Sequence, residues 1–460
     1  MSAQHVVIIG AGPAGIAAAL HLADKPNCRV TLLERGLDLP DRVAAREGKL
    51  QPPASISVNL EGFGGAGAFS DGKLTLTAEV GGHLAEIVGR DRADALIAAA
   101  DRIWLDYGAP ERVYGSAEDI VQAQRRKAIM AGMRLVTVPL RHMGTDRSAA
   151  VLAAMRERIG ASCELIPNAA VERIVTRDGR AAGVVLSDGR QLDADYVIAA
   201  PGRSGQPWFQ AETRRLGLET EASPVDLGVR VEAPAAVLDC LTEHLYEFKL
   251  LFWSPTFDNL VRTFCVCPRG EVVTERLGDV VTVNGHSYAD RKTENTNFAI
   301  LVSSRFTRPF DDPIAYGQYI ARLANLLGKG VLVQRLCDLK AGRRSTPGRL
   351  EKCPISPTLT TAEPGDLSYV LPYRHLKATL EMVDAIDQIA PGLAGPSTLL
   401  YGVEVKLYSA RVQVSSDLET QIPNLFACGD GAGITRGLMQ ASASGLAAAR
   451  EIASRTTAQG

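Results

Sequence analysis

Gly10, Gly12 and Gly15 stand in the order GxGxxG, directly after the apolar run His5 to Ile9 and ahead of an Ala-rich stretch at 14–24; an acidic residue, Glu34, closes the next apolar run, Arg29 to Leu33. The chemistry this spacing serves is the binding of a dinucleotide. Gly10 permits a tight turn, Gly12 lets backbone come close to a pyrophosphate, and Gly15 lets a helix pack on a strand. The helix start then offers free N–H groups and a partial positive charge to the phosphates. Glu34 would accept the hydroxyls of an adenosine ribose. Strand, glycine turn, helix, strand and acid make one βαβ unit of about thirty residues, and that context separates the motif from a chance run of glycines. Taken alone it does not choose between a nicotinamide and a flavin dinucleotide.

The choice comes from the other end of the chain, where the short apolar strand Asn424 to Cys428 runs into GDGAG and then into an Ala-rich helix reaching about residue 454. For a flavin, Asp430 binds the ribityl chain. The helix starting near Gly437 aims its dipole at the N1/O2 edge of the ring and stabilises reduced anionic flavin. Arg436 is the cation placed nearest that ring. An ordinary strand-to-helix turn is the other reading of this segment. Between the two ends, GFGGAGAFSDGKL (62–74) has glycines at 62, 64, 65, 67 and 72, a backbone-rich loop able to wrap phosphates and pass close under a flavin. Phe63, Ala66, Ala68 and Phe69 make it too apolar for a mobile surface loop. Lys73 places a cation near the ring, and AAPGRSG (199–205) approaches from the sheet edge.

The elements that must hold these residues follow from periodicity. Residues 37–61 read as a loop with a short helix. Between about 82 and 132, Leu96, Ile103 and Leu105 fall at helical spacing. A helix is expected from the N-cap pair Thr145-Asp146 to about Ile159. Short strands then alternate with Asp178-Gly179 and Asp188-Gly189 turns before YVIAA at 196–200. Residues 206–400 are strand-rich, with LGVRVE, RTFCVCP, VVTVNG and FAILVS, plus a helix near 313–328. The fold expected is α/β: an N-terminal Rossmann-type FAD-binding domain built from the discontinuous segments 1–80, 145–206 and 400–460, a helical insertion at 81–144, and a mixed α+β substrate-binding domain at 207–399.

Fifty Lys and Arg against 52 Asp and Glu leave a net charge of -2, and 46% of residues are hydrophobic. That is an ordinary globular composition, which excludes disordered, collagen-like and coiled-coil chains. It gives no electrostatic reason for a nucleic acid or membrane partner, so a small molecule is the expected one. Cys28, Cys163, Cys240, Cys265, Cys267, Cys337, Cys353 and Cys428 form no CxxC pair and no zinc set, so no metal is expected. They read as reduced thiols of a cytoplasmic protein. Cys265 and Cys267 would share one face of an extended strand as buried thiols, because bridging residues two apart strains a disulfide. The N-terminal apolar run has glycines and a proline at its centre and no basic leader, unlike a signal peptide. No window holds about 18 uninterrupted apolar residues, so no membrane span is expected.

Longer motifs carry a resemblance: GFGGAGAFSDGKL, RHMGTD (141–146), AAPGRSG, RTFCVCPRGEVV (262–273), NGHSYADR (284–291), NTNFAILVS (295–303), GRRSTPGRL (342–350), YGVEVKLYS (401–409) and GDGAGITRGLMQA (429–441). Over nearly its whole length the chain resembles flavoproteins of the glutathione reductase and p-hydroxybenzoate hydroxylase-like superfamily. More narrowly it is similar to the family known as uncharacterised FAD-dependent dehydrogenases. The resemblance implies bound FAD and redox activity, without implying a substrate. The implied FAD set comprises Gly10, Gly12, Pro13, Ala14, Gly15, Glu34 and Arg35, then Gly65, Ala66, Gly67, Asp71, Gly72, Lys73 and Leu74. From later in the chain come Ala200, Gly202, Gly429, Asp430, Gly437, Leu438 and Met439. Val171 stands where related flavoproteins lend backbone atoms to adenine, a plain core valine being the other reading. Two departures stand out. Longer members extend ahead of the glycine motif, which here lies almost at the start, and Arg269 replaces an expected glycine, which bears on substrate preference.

For the substrate pocket, Glu404, Lys406 and Tyr408 alternate along a strand and share a face. His286 with Tyr288 makes a similar pair, and Arg343 with Arg344 precedes a Ser-Thr-Pro turn. Acid–base groups within reach of the leaving proton and cations for a carboxylate are what hydride transfer to flavin needs; for each of these residues a structural role is the competing reading. No second GxGxxG marks a separate NAD(P)H domain, and no CxxxxC pair accompanies the flavin. The expected activity is that of an FAD-dependent dehydrogenase or oxidase acting on a small organic substrate, free or tethered to a carrier, in biosynthesis. Its rival is a reductase or monooxygenase fed by NAD(P)H. A binding protein without flavin chemistry is disfavoured by intact glycine motifs at both ends, and a flavoprotein acting on transfer RNA by the balanced charge. The oligomeric state is left open.

Overall fold

Runs such as VVII at 6–9 and VTLL at 30–33 are buried along their whole length, the pattern of parallel strands covered on both faces. The computed structural model describes residues 3–458 apart from 54, 71, 222–223, 278, 288–290, 307–308, 310–311 and 408–409. Asp71, Tyr288 and Tyr408 therefore lie outside the described residues. In chain order the principal elements of the first half are β1 (Gln4–Ile9), α1 (Pro13–Ala23), β2 (Cys28–Leu33), α2 (Leu39–Arg46), α3 (Arg90–Asp106), α4 (Gly144–Ser162), β3 (Glu164–Ile166) and β4 (Tyr196–Ala199). Then come β5 (Val225–Pro234), β6 (Leu260–Cys267), β7 (Glu271–Leu277), β8 (Val280–His286), β9 (Asn295–Ser304), α5 (Pro313–Gly328), α6 (Tyr373–Asp387), β10 (Leu399–Lys406), β11 (Leu425–Ala427) and α7 (Leu438–Ala458).

Contacts divide the chain into two units, the first being Met1–Arg112, Leu140–Ala222 and Ser409–Gly460. Its five-stranded sheet has the order β11-β4-β1-β2-β3, and every pair is parallel. Three distant stretches of sequence thus supply one sheet. Helix α7 packs on α1 so closely that a Cβ at Gly445 would lie 1.9 Å from the Ala14 carbonyl oxygen. A three-stranded antiparallel meander follows β3, and its first turn has both Asp178 and Gly179 at positive φ, the requirement of a two-residue hairpin. Helix α4 begins at Gly144, one residue ahead of the expected Thr145-Asp146 cap, and no side chain caps it.

The second unit is Val113–Pro139 with Ser223–Tyr408. The stretch 81–144, expected to be one helical insertion, is shared: residues 113–139 belong to this unit and the flanks to the first. Similarly β10, expected in the FAD-binding segments, lies in this unit's eight-stranded sheet, antiparallel to β5. Strand periodicity tells which face a residue takes, and leaves the neighbouring strand unspecified. Val225, Leu227, Val229 and Val231 of β5 join a core with α5, α6 and the helix Ala235–Leu245. The intervening Asp226, Gly228, Arg230 and Glu232 take the other face, and all are buried. Strand β6 breaks register on β9 between Phe264 and Cys267, with Cys265 at φ 47°. The strand is therefore not plainly extended between Cys265 and Cys267, in contrast to the expectation, and neither residue is in a disulfide.

His375, in the first turn of α6, is 3% exposed, and burial pushes its pKa down to about 4. Below pH 6.5 the unfolded chain takes up a proton that the folded one refuses until about pH 4, so stability is lost as pH falls through that window. The expected loss is up to roughly 3 kcal/mol, read from urea midpoints at pH 7 and pH 4.5. His375→Gln should remove this contribution, and an unchanged pH slope in that variant would refute the assignment. Among the described residues no helix is long and apolar enough to cross a membrane, and no group of three His, Cys, Asp or Glu is placed to hold a metal.

Candidate functional site

Two of the three motif glycines are required by the protein's own packing. A Cβ at Gly10 would lie 2.2 Å from the Ala200 carbonyl oxygen, and one at Gly15 only 1.9 Å from that of Gly10. Gly12 is different. Its backbone (φ -81°, ψ -177°) is open to any residue, and a Cβ there would meet nothing nearer than Gly65 Cα at 3.9 Å. Helix α1 starts at the next residue, Pro13, and no side chain caps it. An uncapped helix start leaves N–H groups without intrahelical partners, and an open space in front of such a start can hold a phosphate.

Other segments close around this space. Gly64 donates its N–H to the Ala11 carbonyl (2.8 Å), and Gly65 sits against Gly12 and Pro13. Gly67 faces Leu438, and Gly429 faces Ala14. With Ala200 and Gly202, these residues gather at the C-terminal ends of β1, β4 and β11, where ligands of parallel α/β sheets bind. Glu34 is 6% exposed; its Oε2 accepts from Ala11 N–H (2.9 Å) and its Oε1 from Gly36 (2.9 Å) and Gly62 (3.1 Å). Of the roughly four lone-pair directions of a carboxylate, two thus pin the two glycine loops together, a third is taken by the nearby Gly36, and one could accept a hydroxyl. That pinning role has no signature in sequence. Arg35 pairs with Glu61 at 2.5 Å, and Val171 opens the meander two residues after Ala169, whose N–H meets the Glu34 carbonyl. Gly72 abuts Ser148, Lys73 lies on a short strand opposite His142, and Leu74 and Met439 are wholly buried in the core. Asp71 lies outside the described residues.

At the other chain end, Asp430 Oδ1 accepts from Thr435 Oγ1 (2.9 Å) and from Gly437 N–H (3.3 Å), with Arg203 Nε 3.7 Å from Oδ2. Burial is the largest influence on this carboxyl and raises its pKa, against the pull of Arg203, Thr435, Gly437 and Arg436. Arg203 and Thr435 were missed as single residues, although both sit inside quoted motifs. Arg436 is tied through its N–H to Gly81. A glycine with no packing reason to be one, an uncapped helix start and a half-buried carboxylate at a second turn form a donor and acceptor set that fits FAD.

The second unit brings other predicted residues into a buried array. Arg230 donates from Nε to Asn297 (2.8 Å), from Nη1 to both Glu404 oxygens (3.3 and 3.2 Å), and from Nη2 to the Cys265 carbonyl (2.6 Å) and Cys267 Sγ (3.3 Å). Lys406 Nζ stands 3.2 Å from Glu404 and 3.4 Å from Glu275. Arg230 and Glu404 have no exposed side-chain surface, while Lys406 and Glu275 keep 15% and 22%. Signs alternate along the array. Burial would lower the pKa of both cations, but Glu404 foremost holds each above its ordinary value. A Cβ at Gly285 would lie 2.0 Å from Arg230 Nη2, so hairpin β7–β8 lies directly on the guanidinium. Glu404 and Lys406 share a face as alternation implied, whereas Arg230, Glu275 and Asn297 were missed; the available signal was a charge inside the apolar run LGVRVE. Arg343 is drawn elsewhere, its Nε held by Asp338 (2.8 Å), which also binds Arg335 and Ser345. His286 ends β8 opposite Glu271. Tyr288 and Tyr408 lie outside the described residues.

Residues 5–225 match the family "FAD dependent oxidoreductase", and residues 224–407 match "FAD-dependent protein, C-terminal domain-like". The chain is 28% identical to an uncharacterised protein of Clostridium beijerinckii, over 97% of this chain and 80% of that protein. Among solved structures it is similar to a formate oxidase variant of Aspergillus oryzae RIB40 (13% identity, 100% of both chains, TM-score 0.47). It is also similar to the 3-ketosteroid-Δ4-(5α)-dehydrogenase of Rhodococcus jostii RHA1 (14% identity, 98% of both chains, TM-score 0.44).

Proposed function

From a chain that carries an FAD-dependent oxidoreductase domain at residues 5–225 and the C-terminal domain of FAD-dependent proteins at 224–407, we propose a dehydrogenase or oxidase that takes a hydride from a small organic substrate, free or carrier-tethered. The observation that carries this reading is the cradle at Gly12, assembled from both ends of the sequence around an uncapped helix. FAD supplies the two-electron acceptor. The protein's part is to hold it: the start of α1 and Gly65 face the phosphates, Glu34 the adenosine ribose, and Asp430 the ribityl chain. Arg436 follows Asp430 into the last turn before α7 and is the cation proposed nearest the ring.

In the second unit, Lys406 is the cation at the solvent-facing end of the array, fixed by two carboxylates. It is suited to orient a polar group of the substrate, with Glu404 holding it in place. The proposal includes no nucleic acid or membrane partner and a cytoplasmic setting. The test is the visible spectrum of the purified protein, recorded anaerobically before and after NADPH and then NADH. A yellow protein that stays oxidised with both nucleotides supports the dehydrogenase or oxidase reading. Rapid bleaching would replace it with a nicotinamide-fed reductase or monooxygenase, and a colourless protein that takes up no FAD would overturn it.

A further inference from the structure

We propose that a groove on the surface of the first unit binds a small organic anion with an apolar body, such as an aromatic carboxylate, away from the dinucleotide cradle. The groove is an open cavity of about 380 Å³ formed by residues of α1, α3 and α7. All three helices belong to the first unit, and α7 packs on both of the others, Trp104 Nε1 of α3 donating to Ser442 Oγ (3.1 Å). That volume is the size of a small-molecule site, and such sites join an apolar lining to a few convergent polar groups. The cradle faces the first turns of α1 and α7. His21 and Leu446 each lie eight residues beyond those starts, about 12 Å further on at the helical rise. The groove is therefore independent of the FAD reading.

The lining divides by chemistry. Ala98, Ile103 and Leu446 give it an apolar floor, Leu446 being buried. Arg102 of α3 and Arg450 of α7 are exposed at its rim. Among the described residues neither arginine is held in an ion pair or a side-chain hydrogen bond. Asp106, one helical turn beyond Arg102, is the carboxylate of the lining, and the neighbouring Asp24 is already paired with Arg158. Positive charge therefore exceeds negative, in the form of guanidinium groups whose planar fork matches a carboxylate. Between them, His21 is half-buried on α1. Burial, with Lys25 and Arg450 close by, pushes its pKa down to about 4. The ring is thus neutral at pH 7 and both donates and accepts hydrogen bonds. A strongly perturbed group in a cleft is a mark of ligand sites. A neutral guest would leave two converging guanidinium groups unused, and a cation would be repelled.

The test is calorimetric titration with β-naphthoate and with its neutral amide, in low salt and with FAD in excess so that the cradle is filled. Arg102→Gln and Arg450→Gln remove the rim cations, and Ala98→Phe fills the floor from an exposed position. Arg126→Gln, an exposed charge in the second unit, is the control. All four sites are exposed, so Tm should stay at the wild-type value. The expected result is saturable naphthoate binding that weakens about 3- to 10-fold in each rim variant. Ala98→Phe should weaken it about 10-fold or more, the amide should bind about 10-fold less tightly than the acid, and the control should match wild type. Absence of saturable binding up to about 10 mM would overturn the proposal, as would binding that all three groove variants leave unchanged. Equal affinity for acid and amide, or a block by Ala98→Phe with neither arginine mattering, would overturn the assignment of an anion. Wild-type protein that takes up no FAD would fail the functional reading and leave the groove titration standing.

Discussion

Gly12→Val is expected to lose FAD by about 100-fold or more, some 2.7 kcal/mol, while folding as well as wild type. The two halves of that expectation come from the same coordinates. The Gly12 backbone suits any residue and a Cβ there touches only Gly65 Cα at van der Waals distance, so the protein does not resist the substitution. The branched side chain would fill the space before the uncapped start of α1, where phosphate oxygens must reach backbone N–H groups. Gly15→Val gives the contrast. Its Cβ would overlap the Gly10 carbonyl at 1.9 Å, so that variant should lose stability before cofactor binding can be asked about. Urea denaturation of the apoproteins and FAD titration separate the two. A Gly12→Val protein that takes up FAD normally would show that the cradle lies elsewhere.

The same contrast shows what was legible in sequence. Gly10, Gly12 and Gly15 are local, their spacing set by one turn and one helix, and the parallel strands announce themselves as uninterrupted apolar runs. That Glu404 and Lys406 share a face follows from a period of two. What the sequence could not show was their company. Arg230 is 174 residues from Glu404, and nothing in either run names the other, because antiparallel pairing is a property of the assembled sheet. The same limit misassigned β10 to the FAD-binding segments. Cys265 illustrates another: one residue at positive φ and a break of register interrupt a strand whose sequence reads as plainly extended. Glu34 was legible as an acid at the end of β2, but two of its three backbone hydrogen bonds depend on loops at 10–12 and 62 meeting in space.

Glu404→Leu is expected to destabilise the protein by about 3–5 kcal/mol, because it leaves Arg230 buried without its counter-charge. Lys406 would keep Glu275 at 3.4 Å and partial access to water, so the penalty falls mainly on Arg230. The pairing makes a further demand on the double variant. In Arg230→Met with Glu404→Leu no unpaired buried charge remains, and what is lost is the donor to Asn297 and to the Cys265 carbonyl, about 1–3 kcal/mol of unsatisfied acceptors. The double variant should therefore be more stable than Glu404→Leu alone, a non-additivity that contacting partners show and distant sites do not. Urea denaturation of the four proteins at pH 7 measures it. Additive losses would mean that the two side chains do not compensate each other. Sub-additivity would show that this strongly charged sheet face is held together by pairing.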